Sequence, residues 1–276
     1  MPLVRPAEII VPAAEAGRGV GAFNVIQLEL AEAIVAGGEA AGRPVILQIS
    51  QNCVRYHGAL APIAAACQAL ARAAASPVSV HLDHAESFEL VGQALDLGLD
   101  SIMYDGSKLP DAANRAATGA VAALAQARGA WVEAELGEIG GKDGVHAPGA
   151  RTDPGDAGAF VRDTGVDALA VAVGSSHAMT ARSAKLDFDL IAAIHAATPA
   201  PLVLHGSSGV PDADLAAAVQ AGITKINIAT LLSQTFTGQV RAALAADPAL
   251  VDTRKYFAPA RAAVADAVAG LLAVIA

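Results

Sequence analysis

The chain has 276 residues and a formal net charge of −9, and it is 54% hydrophobic but only 4% aromatic. This length is sufficient for one large α/β domain with a substantial core. The negative charge argues against non-specific nucleic-acid binding, which needs a basic surface. It does not argue against phosphate ligands, because backbone N–H groups can bind an anion even on an acidic protein.

Strand-like and helix-like segments then alternate along the chain. Apolar, β-branched runs predict strands at 20–25, 44–50, 77–82, 101–104, 131–136, 168–173, 201–204 and 224–228. Helical periodicity predicts helices at 28–41, 57–75, 87–97, 111–128, 156–164, 188–197 and 212–221, with Gly98 as a cap. A loop rich in glycine and charge covers 137–153, and the segment after the last strand is helical with a break at 248–255.

This alternation predicts a parallel (β/α)8 TIM barrel in the α/β class. Eight near-continuous apolar strands, each followed by a helix, are typical of that fold. A doubly wound open sheet gives similar local signals, but the count of eight favours the barrel. Because no shift in composition marks a boundary, we expect one domain over residues 1–276, with a C-terminal helical extension.

Polar residues follow nearly every predicted strand. The clearest case is the third strand, which ends in Asp83 and His84, although burying either group without a partner costs several kcal/mol. The active sites of TIM barrels lie at the C-terminal ends of their strands. This chain places the following ligating or titratable residues there: Asn24, Ser50, Asp83, His84, Asp105, Glu135, His177, His205, Asn227 and Thr230.

Three of these residues are histidines on separate strand ends. His84, His177 and His205 suit a zinc site with three protein ligands and one position left for substrate. A structural, hydrogen-bonded imidazole is the alternative for each one. Asp83, beside such a site, could carry a proton to or from a substrate oxygen.

The remaining acids and histidines have weaker signals. Asp105 and Glu135 are hard oxygen ligands for a second or alternative metal position, or else they form a salt bridge or bind a helix N-terminus. His81 is either a partner of the ligand set or a core histidine. Three further histidines are expected at the surface: His57, His146 and His195.

A candidate anion site follows the seventh predicted strand. The run His205-Gly-Ser-Ser-Gly209 leads directly into a helix near Pro211, so glycines, hydroxyls and a helix N-terminus meet there. The eighth strand ends in Asn227-Ile-Ala-Thr230, and these two loops are the frequent phosphate site of TIM barrels. A plain turn is the alternative interpretation.

With these motifs in view, the chain resembles the class II, metal-dependent ketose-bisphosphate aldolases. It is closer to the branch with tagatose-bisphosphate aldolase and the short fructose-bisphosphate aldolases than to the long enzymes. The resemblance covers nearly the whole chain and rests on these motifs: Ala22-Phe-Asn-Val25, Val45-Ile-Leu-Gln-Ile-Ser50, His81-Leu-Asp-His84, Ser101-Ile-Met-Tyr-Asp105, Glu133-Ala-Glu-Leu-Gly137, Leu169-Ala-Val-Ala-Val-Gly174 with His177, Leu202-Val-Leu-His-Gly-Ser-Ser-Gly209 and Lys225-Ile-Asn-Ile-Ala-Thr230.

The resemblance implies a zinc-dependent lyase that reversibly cleaves a ketose bisphosphate to dihydroxyacetone phosphate and an aldehyde. It makes His84, His177 and His205 the zinc ligands and Asp83 the proton donor and acceptor. Asp105 and Glu135 become ligands of a second divalent metal, and a monovalent cation is a further cofactor. The substrate would be held by Asn24, Ser50, Ala178, Gly206, Ser207, Ser208, Asn227, Ile228, Ala229 and Thr230.

The same resemblance implies further features outside the ligand set. Arg254 or Arg261 would meet the far phosphate, across the interface of a homodimer or homotetramer.

The sequence itself predicts a cytoplasmic protein without a membrane partner. It lacks a signal-peptide pattern, and its apolar tail covers only 267–276, whereas roughly 20 residues are needed to span a bilayer. The net charge of −9 predicts that the protein has no nucleic-acid partner.

Several positions depart from the family pattern. His177 is followed by Ala178-Met-Thr180 where the family usually has glycine and an aromatic residue, and Ala229 and Leu231 replace acids found in one branch or the other. The loop at 140–145 is one residue short, which leaves Asp143 as the candidate acid for the C3 proton. Fructose or tagatose 1,6-bisphosphate is the expected substrate, and a non-standard ketose phosphate from sugar catabolism stays open.

Three other hypotheses about function stay open. Lys225 on the eighth strand could form a Schiff base, although three converging histidines argue against it. A different metal-dependent barrel, a hydrolase or phosphosugar isomerase, is a second option, but the first strand lacks the His-x-His pair of hydrolase barrels. A catalytically inactive binding subunit would be expected to have lost the metal set, which is intact here.

Overall fold

The computed structural model describes residues 2–136 and 151–276, and its strands form a closed parallel barrel in which each strand pairs with the next in chain order. The barrel closes where β1 pairs with β8, in the register Val20 to Lys225. The TIM-barrel prediction is therefore confirmed. The strands are β1 Val20–Asn24, β2 Val45–Ser50, β3 Val78–Ala85, β4 Ser101–Tyr104, β5 Trp131–Glu135, β6 Ala168–Ala170, β7 Leu202–Leu204 and β8 Ile223–Ile228.

Helices surround the barrel, because each strand is apolar on both faces and needs a covering layer. A short 3₁₀ helix, Ser207–Gly209, follows β7. The α-helices are α1 Pro6–Glu15, α2 Leu28–Ala41, α3 Gln51–His57, α4 Ala61–Ala73, α5 Phe88–Asp96, α6 Asp111–Gln126, α7 Pro154–Thr164, α8 Phe188–Ala197, α9 Asp212–Ala221, α10 Thr230–Ala246 and α11 Thr253–Val274.

The N-terminal helix α1 was not predicted from the sequence. Pro6 occupies its first turn, and the Glu8 carboxylate accepts a hydrogen bond from the Arg5 backbone N–H at 3.0 Å, which are both helix-start signals. Pro12 inside the helix obscures the pattern. The apolar face of α1 packs near the first residues of β1 and β2, through Ile9 and Ile10.

The helix predicted at 57–75 corresponds to α4, which is shorter at both ends, but the separate helix α3 between β2 and α4 was not predicted. Ser50 caps α3 by accepting a hydrogen bond from the Cys53 backbone N–H at 3.2 Å. Gly58, with φ of +78°, ends α3 in the left-handed region, and α4 begins three residues later. The other bounds differ less: β6 stops at Ala170, whereas β3 extends beyond its prediction to Ala85.

The core lies between the barrel and its helices. Cys53 and Cys67 are both buried in it and form no disulfide bond. Helix α11 is longer than the apolar tail suggested, and among the described residues it is the one helix long and apolar enough to cross a membrane by those criteria alone. A core helix passes the same test, and α11 packs along α2 and α10 through residues such as Val264 and Val268.

Candidate active site and metal centre

A cavity of about 270 Å³ opens at the C-terminal ends of the strands. Most of the predicted site residues line it, namely Asn24, Ser50, Asp83, His84, Asp105, His177, Ala178, Gly206, Ser208, Asn227, Ala229 and Thr230. Four others are buried next to or behind this wall: Glu135, His205, Ser207 and Ile228. The parallel strands bring these residues together because all their carboxyl ends meet at one rim.

Three imidazoles converge in this cavity. One ring nitrogen from each of His84, His177 and His205 lies within 4.8 Å of the others, and His84 Nε2 is 3.1 Å from His205 Nδ1. Tetrahedral zinc with bonds of about 2.0–2.1 Å needs ligand nitrogens roughly 3.3 Å apart. The donor set therefore fits a divalent metal ion held by three histidines.

Backbone strain marks two positions of this cluster. His84 has φ of +52° and Ala178 has φ of +58°, and they are the two positive-φ residues other than glycine in the described part of the chain. The pairing of β3 with β4 shifts register between Leu82 and Ala85, so the strand is irregular where His84 turns toward the cavity. Such strain persists only where the surrounding structure enforces it, typically at functional sites.

Each of two converging histidines is oriented by a buried carboxylate. His205 Nε2 lies 3.1 Å from Glu133 Oε1, and His84 Nδ1 lies 2.8 Å from Asp105 Oδ2. A carboxylate that accepts one ring N–H fixes the tautomer and leaves the other nitrogen free to bind a metal. The two remaining nitrogens, His205 Nδ1 and His84 Nε2, are the pair that faces each other.

Glu133 is itself paired with a buried lysine. Lys225 Nζ lies 2.8 Å from Glu133 Oε2, and both side chains are about 1% exposed. Sequence reasoning gave Glu133 no role, although Glu133 and Glu135 point to the same side of β5 because they are two residues apart. The Schiff-base alternative loses support, since the Lys225 amine is buried and ion-paired.

Burial and neighbouring charge set the protonation of the central groups. Burial, together with the nearby His84 imidazole, lowers the pKa of His205 well below its ordinary value. Burial alone would raise the pKa of Asp83, but the His84 and His205 imidazoles, with smaller effects from Lys225 and Asn24, hold it below its ordinary value. The two shifts favour the neutral form of the His205 imidazole and the ionised form of the Asp83 carboxylate.

A chain of amides positions Asp83. Asn24 Nδ2 donates to Asp83 Oδ2 at 3.3 Å, and Gln48 Nε2 donates to Asn24 Oδ1 at 3.1 Å. The other oxygen, Asp83 Oδ1, lies 3.9 Å from His84 Nε2. Gln48 was missed from the sequence, although a glutamine inside an otherwise apolar strand is itself a signal.

Asp105 and Glu135 form a second candidate group with His84. One ligand atom from each of the three residues lies within 4.8 Å of the others, and Glu135 Oε2 is 4.0 Å from His84 Nδ1. Asp105 is also held by Ser107, whose hydroxyl donates to Asp105 Oδ1 at 2.6 Å. The acids therefore suit either an orienting role or a second cation.

The loops after β7 and β8 are tied together by one serine. Ser208 Oγ accepts hydrogen bonds from the backbone N–H groups of Ala229 and Leu231, each at 3.2 Å. Gly206 has φ of +65°, and a Cβ there would meet the Ser176 backbone at 2.5 Å, so this close approach requires glycine. Ser207 instead donates to the Leu204 carbonyl at 2.9 Å, away from the cavity.

The other candidate residues lie outside the cavity. His81 is a core histidine whose Nδ1 is 2.7 Å from Ser101 Oγ, and His57 and His195 are exposed. Arg254 is bonded to Asp252, and Arg261 to Glu32 at 3.0 Å. Asp143 and His146 lie outside the described residues.

Comparisons with known proteins agree with this geometry. The family described as "Fructose-bisphosphate aldolase class-II" matches residues 4–276. The chain belongs to this family. A carbon–carbon lyase activity with aldol cleavage follows from membership, and zinc dependence is typical of the family.

Individual members cover nearly all of the chain. The "Probable fructose-bisphosphate aldolase" of Bacillus subtilis is 40% identical over 274 residues, which is 98% of this chain and 96% of that protein. The "Fructose-bisphosphate aldolase" of Staphylococcus aureus is 39% identical over the same shares. Among solved structures, the YdjI aldolase of Escherichia coli K12 is 28% identical with a TM-score of 0.87, over 99% of this chain and 97% of that one.

Proposed function

We propose that this family member cleaves a ketose 1,6-bisphosphate reversibly to dihydroxyacetone phosphate and an aldehyde, with fructose or tagatose bisphosphate as substrate. The observation that carries this proposal is the convergence of three imidazole nitrogens within 4.8 Å beside a buried aspartate. The names of the Bacillus and Staphylococcus relatives support the fructose form. A non-standard ketose phosphate is the second candidate substrate, because the chain departs from the family pattern at Ala178, Thr180, Ala229 and Leu231.

His84, His177 and His205 would hold the zinc ion, each through one ring nitrogen. A bound zinc ion supplies Lewis-acid stabilisation for the negative charge that develops on the substrate oxygens as the carbon–carbon bond breaks. Asp105 and Glu135 would serve a second divalent position together with His84. The fit of the three-histidine donor set to tetrahedral geometry supports the first assignment.

Asp83 would move the proton at the reacting hydroxyl. In cleavage it accepts the proton of the C4 hydroxyl, the bond between C3 and C4 breaks, and C4 becomes the aldehyde carbon. Asn24 fixes the carboxylate for this transfer through its 3.3 Å hydrogen bond. The proton that C3 then needs would come from Asp143, which lies outside the described residues.

The backbone around Gly206 to Ser208 and Asn227 to Thr230 would hold the phosphate of the dihydroxyacetone half. Helix α10 begins at Thr230, so the Thr230 backbone N–H and the positive end of the helix dipole would favour an anion there. This anchoring would orient the chain of the substrate across the histidines and use binding energy for alignment. We further infer a homodimer or homotetramer in the cytoplasm that acts on phosphorylated sugars.

The test is release of dihydroxyacetone phosphate from fructose and tagatose 1,6-bisphosphates, with and without a chelator and with zinc add-back. Release that the chelator abolishes and zinc restores is expected, and the ratio of the two rates identifies the sugar. No release from either sugar, by protein shown to carry zinc, would exclude both and direct attention to other ketose phosphates.

A further inference from the structure

The segment after β6 carries one of the three histidines without the support of a helix or strand. This β6 segment, residues 171–187, lies in the described part of the chain and forms neither, and α8 begins at Phe188. His177 is in its middle and is followed by Ala178, with φ of +58°. Because a residue other than glycine is strained in that conformation, contacts elsewhere in the segment must hold it in place.

The β6 segment packs closely against the loop after β7. A Cβ on Gly206 would meet the Ser176 backbone at 2.5 Å, and a Cβ on Gly209 would meet Met179 side-chain atoms at 2.6 Å. Further along, the Ala184 backbone N–H donates to the Gly209 carbonyl at 2.9 Å. The segment that carries His177 therefore lies directly on the loop with the candidate phosphate donors.

Arg182 fastens these two pieces of backbone together. Its Nε and Nη2 both donate to the carbonyl oxygen of the buried Val210, at 2.9 and 2.6 Å. Its Nη2 also donates to the Asp212 carboxylate, in the first turn of α9. A planar guanidinium that bonds one acceptor through two N–H groups fixes direction as well as distance, which an ammonium group cannot do.

A second tie joins the same part of the β6 segment to α10. Gln234 Nε2 donates to the Thr180 carbonyl oxygen at 3.0 Å. Helix α10 begins at Thr230, directly after the loop that follows β8. The backbone just beyond His177 is thus bonded to both loops that would hold the phosphate.

We propose that Arg182 is a positioning residue for zinc and phosphate binding. It holds the β6 segment on the loop after β7, so that His177 stays beside His205 and the backbone from Gly206 to Ser208 keeps its conformation. The proposal rests on the function proposed above, in which His177 binds zinc and this backbone binds phosphate. Arg182 does not line the cavity, so it acts through the backbone and not by contact with the substrate.

Zinc affinity is the first measurement. Only molecules with a docked β6 segment present all three imidazoles, so a smaller docked fraction weakens the apparent affinity in proportion. We expect Arg182→Ala to weaken zinc binding about 10-fold, in competition with a chromophoric chelator. Arg182→Lys keeps the charge near Asp212 but loses the forked bond to Val210, and it should recover part of the loss.

A matched control separates this role from the general loss of a surface ion pair. Arg128→Ala removes an arginine that bonds Asp96 at 2.9 Å away from the cavity, and it should leave zinc affinity unchanged. The side chains of Arg128 and Arg182 are 44% and 32% exposed, so the two substitutions remove similarly accessible cations.

Amide hydrogen exchange follows the docking itself. The full-length protein is measured zinc-loaded and after zinc removal, in the wild type and in Arg182→Ala. We expect peptides from 176–187 to exchange about 10-fold faster in the variant, while peptides from β3 exchange at the same rate. The Ala184 N–H is the reporter, because its bond to the Gly209 carbonyl must break before it can exchange.

Steady-state kinetics at saturating zinc distinguish positioning from a loss of folded enzyme. We expect Arg182→Ala to raise the KM for the ketose bisphosphate about 3- to 10-fold, with turnover within about twofold of the wild type, because the phosphate loop is loosened while the zinc site is filled. A lower fraction of folded enzyme would reduce turnover and leave KM unchanged.

Two outcomes separate this inference from the proposed activity. Wild-type zinc affinity and exchange rates in Arg182→Ala would overturn the positioning role, even if the enzyme cleaves the bisphosphate. If the wild type cleaves no ketose bisphosphate but Arg182→Ala binds zinc more weakly and exchanges faster at 176–187, the proposed activity fails and the positioning role stands.

Discussion

Replacing Lys225 by methionine tests the buried chain of contacts that runs from Lys225 through Glu133 to His205. The substitution keeps the apolar stem and removes the ammonium 2.8 Å from Glu133 Oε2. The Glu133 carboxylate is then left buried with one charge partner fewer. Breaking a buried ion pair on one side typically costs about 3–5 kcal/mol, so we expect the free energy of unfolding of the metal-free protein to fall by that amount.

Metal affinity should fall as well, because Glu133 orients the His205 ring. Loss of such an orienting partner typically weakens metal binding about 10- to 100-fold. The double variant Lys225→Met, Glu133→Gln removes both charges, and its amide oxygen can still accept the His205 ring N–H. We expect it to recover more than half of the stability lost in Lys225→Met.

The assays are urea unfolding of the metal-free protein and zinc competition against a chromophoric chelator. Lys255→Met is the matched control, since Lys255 is exposed and its replacement should cost less than about 0.5 kcal/mol. A loss below about 1 kcal/mol in Lys225→Met, with unchanged zinc affinity, would refute the claim that this pair supports His205.

Four further outcomes follow from the structure. Asp83→Asn should lower turnover about 10²- to 10⁴-fold with zinc still bound, because the amide cannot accept the hydroxyl proton, as measured by single-turnover cleavage and metal analysis. Ala178→Gly should raise the free energy of unfolding by up to about 1 kcal/mol or leave it unchanged, because the relief of left-handed strain at φ of +58° is offset by the flexibility of glycine in the unfolded chain. Ala178→Val should lower the free energy of unfolding, because a β-branched residue is more strained in this conformation. Burial raises the pKa of Cys53 to about 11 and that of Cys67 to about 12, so both thiols should react with a thiol reagent at pH 8 only as fast as the protein unfolds. Burial lowers the pKa of His81 well below its ordinary value. Below about pH 6.5 the unfolded chain therefore binds a proton at His81 that the folded protein does not bind. The free energy of unfolding should fall as the pH is lowered through this range, by up to about 1.4 kcal/mol per pH unit more in the wild type than in His81→Gln.

Each of these outcomes can fail clearly. Full turnover in Asp83→Asn would show that the Asp83 carboxylate does not transfer the proton. Equal losses of stability in Ala178→Gly and Ala178→Val would show that side-chain volume, not backbone conformation, decides that position. Fast thiol labelling of the native protein, or identical pH slopes with and without His81, would contradict the burial on which those two predictions rest.

The sequence by itself determined the barrel and the place of its site. Strand periodicity and alternation with helices are local properties, so eight β/α units could be counted without coordinates. The polar residues that end the strands, such as Asp83, His84 and His205, were found because parallel strands in a barrel must end at one rim. The failures were local too: Pro12 obscured the helical pattern of α1, and the short helix α3, which ends at Gly58, was not predicted before α4.

Only the tertiary structure decided how those residues are paired. Glu133 and Lys225 are 92 positions apart, and Arg55 and Glu86 are 31 apart, yet each pair lies within hydrogen-bond distance. Which side chains meet depends on strand register and on closure of the barrel, and these are set by the packing of the whole core. The local sequence pattern therefore does not show which side chains pair, because these contacts form between residues that are far apart in the chain and meet only in the folded barrel.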